Sequence, residues 1–269
     1  MHFNFNFTAV QVLWALTFAA LLVLLVVLLG RERIRRFPWF TTSIGLMTLR
    51  LLASRLLFNR LPQITFSAIF IALADAMAIV GFLVLVEIAR RAFVGIRRPI
   101  WIVNVVGMLV VAGGVVAVWG PWPAWKTFTA GSTVASLGIM QLFAQKGNLL
   151  VDLLTVELGL MVVVFGRRHG AGWRSHAQQI MIGLSTASLA QLAVQGIWQL
   201  IAVKAVPHSQ AEFQRILGLR EKVFNANGAI YALVVVWWIV CLWIDEPGKM
   251  VATESDGVEV LPGETRIEP

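Results

Sequence analysis

The chain is poor in cysteine, in histidine and in charge, and each shortage removes a class of protein. Its one cysteine, Cys241, lies in the last apolar run. A lone thiol forms no internal disulfide and no Cys-x-x-Cys pair, so the chain is not a disulfide-stapled ectodomain. Cys241 reads as a small buried apolar residue. The four histidines, His2, His169, His176 and His208, all fall outside the apolar runs. None has the His-Glu-x-x-His spacing of a zinc helix, so neither a metal nor another cofactor is expected. His169 and His176 share a basic connecting segment, where solvation is the default. No nucleophile elbow and no phosphate loop is present. The last apolar run has no lysine in its middle, and Lys222 sits only at its edge, which argues against a retinal Schiff base. Charged residues make up 13% of the 269, whereas soluble domains carry about 25%.

What the chain does have is apolar residues, 58% of the total. One core cannot hide that much apolar surface, and lipid is its natural solvent. The formal net charge is +8. The basic residues sit in short clusters between apolar runs, the pattern of cytoplasmic loops and not of a nucleic-acid groove.

A membrane-spanning helix needs about 20 apolar residues. Spans are expected at about 9–30, 39–59, 64–90, 99–119, 147–166, 177–204 and 224–244, within one domain over 1–247. Arg31 to Pro38, Asn59-Arg60-Leu61-Pro62, Arg97-Arg98-Pro99, Gly120-Pro121-Trp122-Pro123 and Asp245-Glu246-Pro247-Gly248 punctuate them. Residues 127–146 and 209–222 are expected as helices outside the membrane, forming a small cap. Ser209-Gln210-Ala211-Glu212 there has the form of a capping box. The tail from 248 to 269 is polar and expected to be disordered.

The connections after spans one, three and five carry Arg31, Arg33, Arg35, Arg36, Arg90, Arg91, Arg97, Arg98, Arg167, Arg168 and Arg174. The opposite connections hold Arg60, Lys126, Lys146, Lys204, Arg215, Arg220 and Lys222, spread over far more sequence. The positive-inside rule makes the first side cytoplasmic. The expected fold is therefore all-α: a seven-transmembrane-helix bundle, N-terminus outside and C-terminus cytoplasmic. The first run has no basic residue before it, which favours a retained helix over a cleaved signal. Trp39, Trp101 and Trp173 would mark the inner interface, and Trp119, Trp122 and Trp125 the outer one.

Polar groups at membrane depth are costly and mark candidate sites. The spans put Arg50, Asp75, Glu157 and Gln191 in a central layer. Arg55, Asp152, Gln195, Gln199, Asn225 and Asn227 fall in an outer layer. Gln191, Gln195 and Gln199 form one stripe at four-residue spacing. Arg50 is expected to pair with Asp75 or Glu157. Glu87 reads as a surface partner of Arg90 and Arg91, with a charge lock of the inner helix ends as the alternative, and Gly183-Leu184-Ser185 as close helix packing.

The stretch Arg36-Phe37-Pro38-Trp39-Phe40-Thr41, together with the topology, resembles uncharacterised bacterial seven-helix membrane proteins and the seven-helix sensor regions found ahead of bacterial signalling domains. The resemblance implies a sensor of the bacterial inner membrane. No functional residue is carried over from it. No kinase or cyclase domain follows the seventh span here, so the effector is expected to be a separate cytoplasmic protein on the basic loops.

The leading expectation is a receptor-like protein that binds a small ligand from outside. Arg50 and Arg55 would hold an anionic group, with Asp75, Asp152 and Glu157 as counter-charges. A transporter using the same cavity is the alternative. All nine prolines (38, 62, 99, 121, 123, 207, 247, 262 and 269) lie at span ends, in loops or in the tail, which lowers the expectation of broken transport helices. A structural or assembly subunit is third, and an intramembrane enzyme is last.

Overall fold

An apolar run in lipid must satisfy its backbone amides internally, and a helix does so within one segment. The computed structural model describes residues 8–58, 60–92, 98–120, 122, 132–166, 175–204 and 209–245. Among these residues all regular structure is helical: α1 (Ala9–Gly30), α2 (Arg33–Arg36), α3 (Pro38–Leu56), α4 (Gln63–Ala92), α5 (Arg98–Val118), α6 (Thr133–Gly166), α7 (His176–Lys204) and α8 (Gln210–Trp243). The tail 248–269, residues 127–131, His2, Pro121, Pro123, Trp125, Lys126, Arg97, Arg167, Arg168, His169, Trp173, Arg174, Pro207 and His208 lie outside the described residues. So do the side chains of Arg98, Pro99, Trp101 and Lys204.

Local chemistry sets the helix starts. At α1, the Thr8 side chain accepts from the Gln11 amide and the Gln11 side chain accepts from the Thr8 amide, a reciprocal cap. Ser209 caps α8 through the Glu212 amide. The start of α3 is different. Pro38 takes the first position, where its missing N–H costs nothing. Phe37 stands at the cap and has no side-chain acceptor. Glu87 of α4 supplies one instead: its Oε2 accepts the Phe40 amide at 3.1 Å. Glu87 is buried, so it is not the exposed surface partner its sequence neighbours suggested, although the Arg91 charge still acts on it. A carboxylate is also favoured at the positive end of a helix.

Six helices pack in a closed ring in the order α1, α3, α4, α6, α7, α8 and back to α1, while among the described residues helix α5 packs on α6 alone. Close approach depends on two glycines. Gly159 of α6 faces Ser185 of α7, and Gly183 of α7 faces the Trp238 indole of α8. The ring has two ends, identified here by Val10 and by Asp245. The half nearer Asp245 is solid. Leu24, Leu28, Phe37, Ile88, Ile180, Met181 and Leu242 are buried there.

The Asp245 end is tied by charge. Arg33 Nη2 reaches Asp245 Oδ1 at 2.9 Å, and Arg31 Nη1 reaches Asp245 Oδ2 at 3.2 Å. Arg33 Nη1 lies 3.3 Å from His176 Nδ1, and His176 Nε2 lies 3.0 Å from the Ile244 carbonyl. An arginine only donates, so Nδ1 accepts and Nε2 carries the proton given to the carbonyl. His176 is therefore no solvated loop residue. It is buried, because the start of α7 tucks beneath the end of α8. Arg33 is buried with it: Glu32 takes a left-handed conformation with φ 53° and turns the chain back after α1.

The outward faces are apolar. Val26 is 66% exposed, Val103 71% and Leu233 70%, which water would not tolerate over whole helices. Five helices (α1, α4, α6, α7 and α8) are long and apolar enough to cross a bilayer. The protein is thus a helical, multi-pass membrane protein. α6 and α8 have 34 residues each, about 51 Å, and exceed the roughly 30 Å hydrocarbon layer. Their early turns continue without a break from the segments expected outside the membrane. These two projecting rods do not pack on each other, so within the described residues they do not form a joined cap.

Candidate functional site

The ring encloses a cavity of about 1250 Å³ lined by all six of its helices. One face of α3 contributes Phe40, Ile44, Met47 and Arg50, and one face of α4 runs from Phe66 to Leu85. At 1.5 Å per residue the α4 face is about 28 Å deep. α1 contributes only its first turns, from Val10 to Thr17. The floor is made by Phe40 and Trp238, whose rings meet edge-to-face at 5.1 Å. Both are fully buried, and the solid half of the bundle lies below them.

The two walls differ in chemistry. The α1–α3–α4 wall is apolar and aromatic, with Trp14, Met47, Phe66 and Phe70, and it bears one charge, Arg50. The α6–α7–α8 wall is polar. Ser188 Oγ donates to Asp152 Oδ1 at 2.8 Å, and Asn227 Nδ2 donates to Gln191 Oε1 at 2.7 Å. Asn148 Nδ2 donates to the Ala144 carbonyl at 2.7 Å and to the Ala74 carbonyl at 3.4 Å. Ser185, which does not itself line the cavity, donates from Oγ to the carbonyl of the lining residue Thr155 at 3.1 Å. The Trp14 indole N–H is buried and has no partner among the described residues.

Of the residues expected at the site, Arg50, Asp152, Gln191, Gln195, Gln199, Asn225 and Asn227 line this cavity. Arg55, Asp75 and Glu157 do not. Arg55 is exposed, with its guanidinium 5.8 Å from the centre of the Trp14 ring. Glu157 is half-buried on α6, and its Oε2 has no partner among the described residues. The reason is angular. Arg50 and Arg55 are five residues apart, as are Asp152 and Glu157, and five residues turn a helix by about 140° from the starting face. Asp75 is offset by about 100° from its cavity-lining neighbour Ala74. The expected pairing of Arg50 with Asp75 or Glu157 is also corrected. Arg50 Nη1 meets Met77 Sδ at 3.3 Å, and the ion pairs among the described residues are those of Asp245.

Several lining groups escaped the sequence reading. Asn148 and Thr155 share one face of α6 with the expected Asp152, and Ser188 and Tyr231 complete the polar wall. Lys146, expected in an outer connection, lies within α6. Its Nζ donates to the Val116 carbonyl at 3.1 Å and to the Trp119 carbonyl, and sits 4.6 Å from the centre of the Trp122 ring. It therefore neutralises the carbonyl end of α5. Because α5 packs on α6 alone, Lys146→Met is expected to speed amide exchange in the last turns of α5 by roughly tenfold, about 1.4 kcal/mol of lost protection, while α7 and α8 keep theirs. Unchanged exchange in α5 would contradict this role.

Among the described residues no three histidine, cysteine, aspartate or glutamate side chains converge as metal ligands. No family model matches the chain, and no curated protein and no solved structure matches it. The fold and the site define a class on their own: a helical multi-pass membrane protein with a deep, two-walled pocket closed at one end.

Proposed function

We propose that the protein is a receptor-like, seven-span protein of the bacterial inner membrane that binds a small ligand in this cavity from outside. Seven spans follow if α3 and α5 also cross. They have 19 and 21 residues, about 28 and 31 Å, enough for the hydrocarbon layer. Arg31, Arg33, Arg35, Arg36, Arg90 and Arg91 gather toward the Asp245 end, which supports a cytoplasmic side there by the positive-inside rule. The Val10 end, where the cavity lies, is then outside.

The observation that carries the reading is the closed floor. The ring is hollow at one end and solid at the other, as binding without passage requires. The floor is also connected to the inner end. Phe40 lines the cavity with its ring while its amide is held by Glu87. Trp238 lines it from α8, whose last turns lead to Ile244 and Asp245, held by His176 and Arg33. A ligand that moves either ring strains this inner clasp, and the basic loops beside it offer a surface to a separate cytoplasmic partner.

The test is saturable stabilisation of the purified protein across a panel of small acids, amino acids, peptides and sugars. Arg50→Ala is expected to abolish the response, and Arg55→Ala to leave it as in the wild type. No saturable response in the panel, or equal behaviour of the two variants, would sink the reading. Uptake of the bound compound into liposomes would instead favour a transporter.

A further inference from the structure

The lining of the cavity carries three charged side chains, Arg50, Lys146 and Asp152. Lys146 is engaged with the carbonyl end of α5. The other two stand apart, Arg50 on α3 and Asp152 on α6, helices that do not pack on each other. Neither belongs to an ion pair among the described residues. Arg50 spends one of its five N–H groups on a thioether sulfur, a weak acceptor. Asp152 takes one hydroxyl on one oxygen. Two half-buried opposite charges on facing walls, each without a counter-ion, are costly at membrane depth.

We infer that the ligand is a zwitterion on an apolar body, its acid group on Arg50 and its ammonium group on Asp152. This rests on the reading of the cavity as a ligand site. A zwitterion satisfies both walls and leaves the charge of the cavity unchanged. A plain anion meets Arg50 but leaves Asp152 unmatched and is repelled by it. A plain cation does the reverse. The body of the ligand faces Met47, Phe66 and Phe70, which accept apolar or aromatic groups at little polar cost. The amides of α7 and α8 opposite take its neutral polar groups. At about 1250 Å³ the space exceeds the roughly 300–1,000 Å³ of usual small-molecule pockets. It therefore admits a short apolar peptide, or the headgroup and upper chains of an aminophospholipid, and the two share the required chemistry.

The experiment measures thermal stabilisation and calorimetric binding of the full-length protein in maltoside micelles. The probes are the free dipeptide Phe-Phe, its N-acetyl form, its C-terminal amide and a short-chain phosphatidylethanolamine. Saturable binding of the dipeptide or of the lipid is expected, and which of them binds identifies the source. If the dipeptide is the binder, its N-acetyl and amide forms bind at least about tenfold more weakly. If the lipid is the binder, its N-acetyl form shows the same loss. Asp152→Asn then removes the penalty for acetylating the amine, and Arg50→Gln weakens the acid-bearing probes selectively. Asp152→Asn preserves size and Arg50→Gln keeps a shorter polar side chain, and if either fails to fold, the probe series on the wild type still decides. N-acetyl probes that bind as well as their zwitterions overturn the inference and leave the cavity reading standing. Failure of every probe also overturns the inference. An Arg50-dependent response to another compound of the panel would then still preserve the proposed function.

Discussion

Gly183→Leu is expected to yield no stably folded protein, and Gly183→Ala to cost about 1–3 kcal/mol, the usual range for overpacking a rigid core. A Cβ at this position of α7 would meet the Trp238 indole at Nε1, with Cε2 at 2.7 Å and Cζ2 at 3.0 Å. The indole can retreat only toward the cavity whose floor it makes. It is 1% exposed, and Phe40 closes on it edge-to-face. Relief must come from parting α7 and α8 or from pushing the floor into the cavity. The control is Gly114→Ala on α5, where nothing lies within 4 Å of an added Cβ. There alanine is expected to be neutral or to stabilise by about 0.5–1 kcal/mol through helix propensity. Thermal unfolding in detergent measures both. Wild-type stability in Gly183→Ala would mean that the α7–α8 contact is looser than described.

Glu87→Ala is expected to destabilise by about 2–3 kcal/mol, because it leaves the Phe40 amide buried and without an acceptor. The loss is large because the sequence at the start of α3 offers no substitute: Phe37 has no capping oxygen and Pro38 has no N–H. Glu87→Gln keeps an acceptor oxygen and is expected to recover most of the loss, giving up only the part owed to charge at a helix N-terminus. The readout is again the unfolding midpoint, and equal losses in the alanine and glutamine variants would show that the hydrogen bond is not what holds α3 to α4. Because Phe40 also lines the floor, ligand affinity should fall in parallel in the alanine variant.

The sequence carried heights better than directions. Runs of apolar residues and the charges between them marked where helices begin and end, because a membrane enforces both. The glutamine stripe was legible as a wall because its four-residue spacing keeps one face. Arg55 and Glu157 were placed at the right helices but on the wrong faces, since depth alone says nothing about rotation, and their five-residue distance from Arg50 and Asp152 held the missing information. Lys146 was expected at the end of an outer helix, and its contact with the last carbonyls of α5 was not legible because it depends on how α5 and α6 pack. The burial of Arg33 and His176 was not legible at all. It follows from the convergence of α2, the start of α7 and the end of α8, whose contacting residues lie 68, 143 and 212 positions apart. The outlying place of α5 likewise depends on which helices pair, and nothing local encodes that.

On the proposed function the cavity is reached from the outside and closed toward the cytoplasm. The direct measurement is labelling of single cysteines by a membrane-impermeant thiol reagent in right-side-out and inverted vesicles. The one native cysteine, Cys241, is buried, so the background is low. Gln195→Cys near the mouth and Ser188→Cys deeper in the polar wall are expected to react in right-side-out vesicles and to stay unlabelled in inverted ones. Labelling of Ser188→Cys from both sides would contradict the account, because it would make the Phe40–Trp238 floor a gate and the cavity a path.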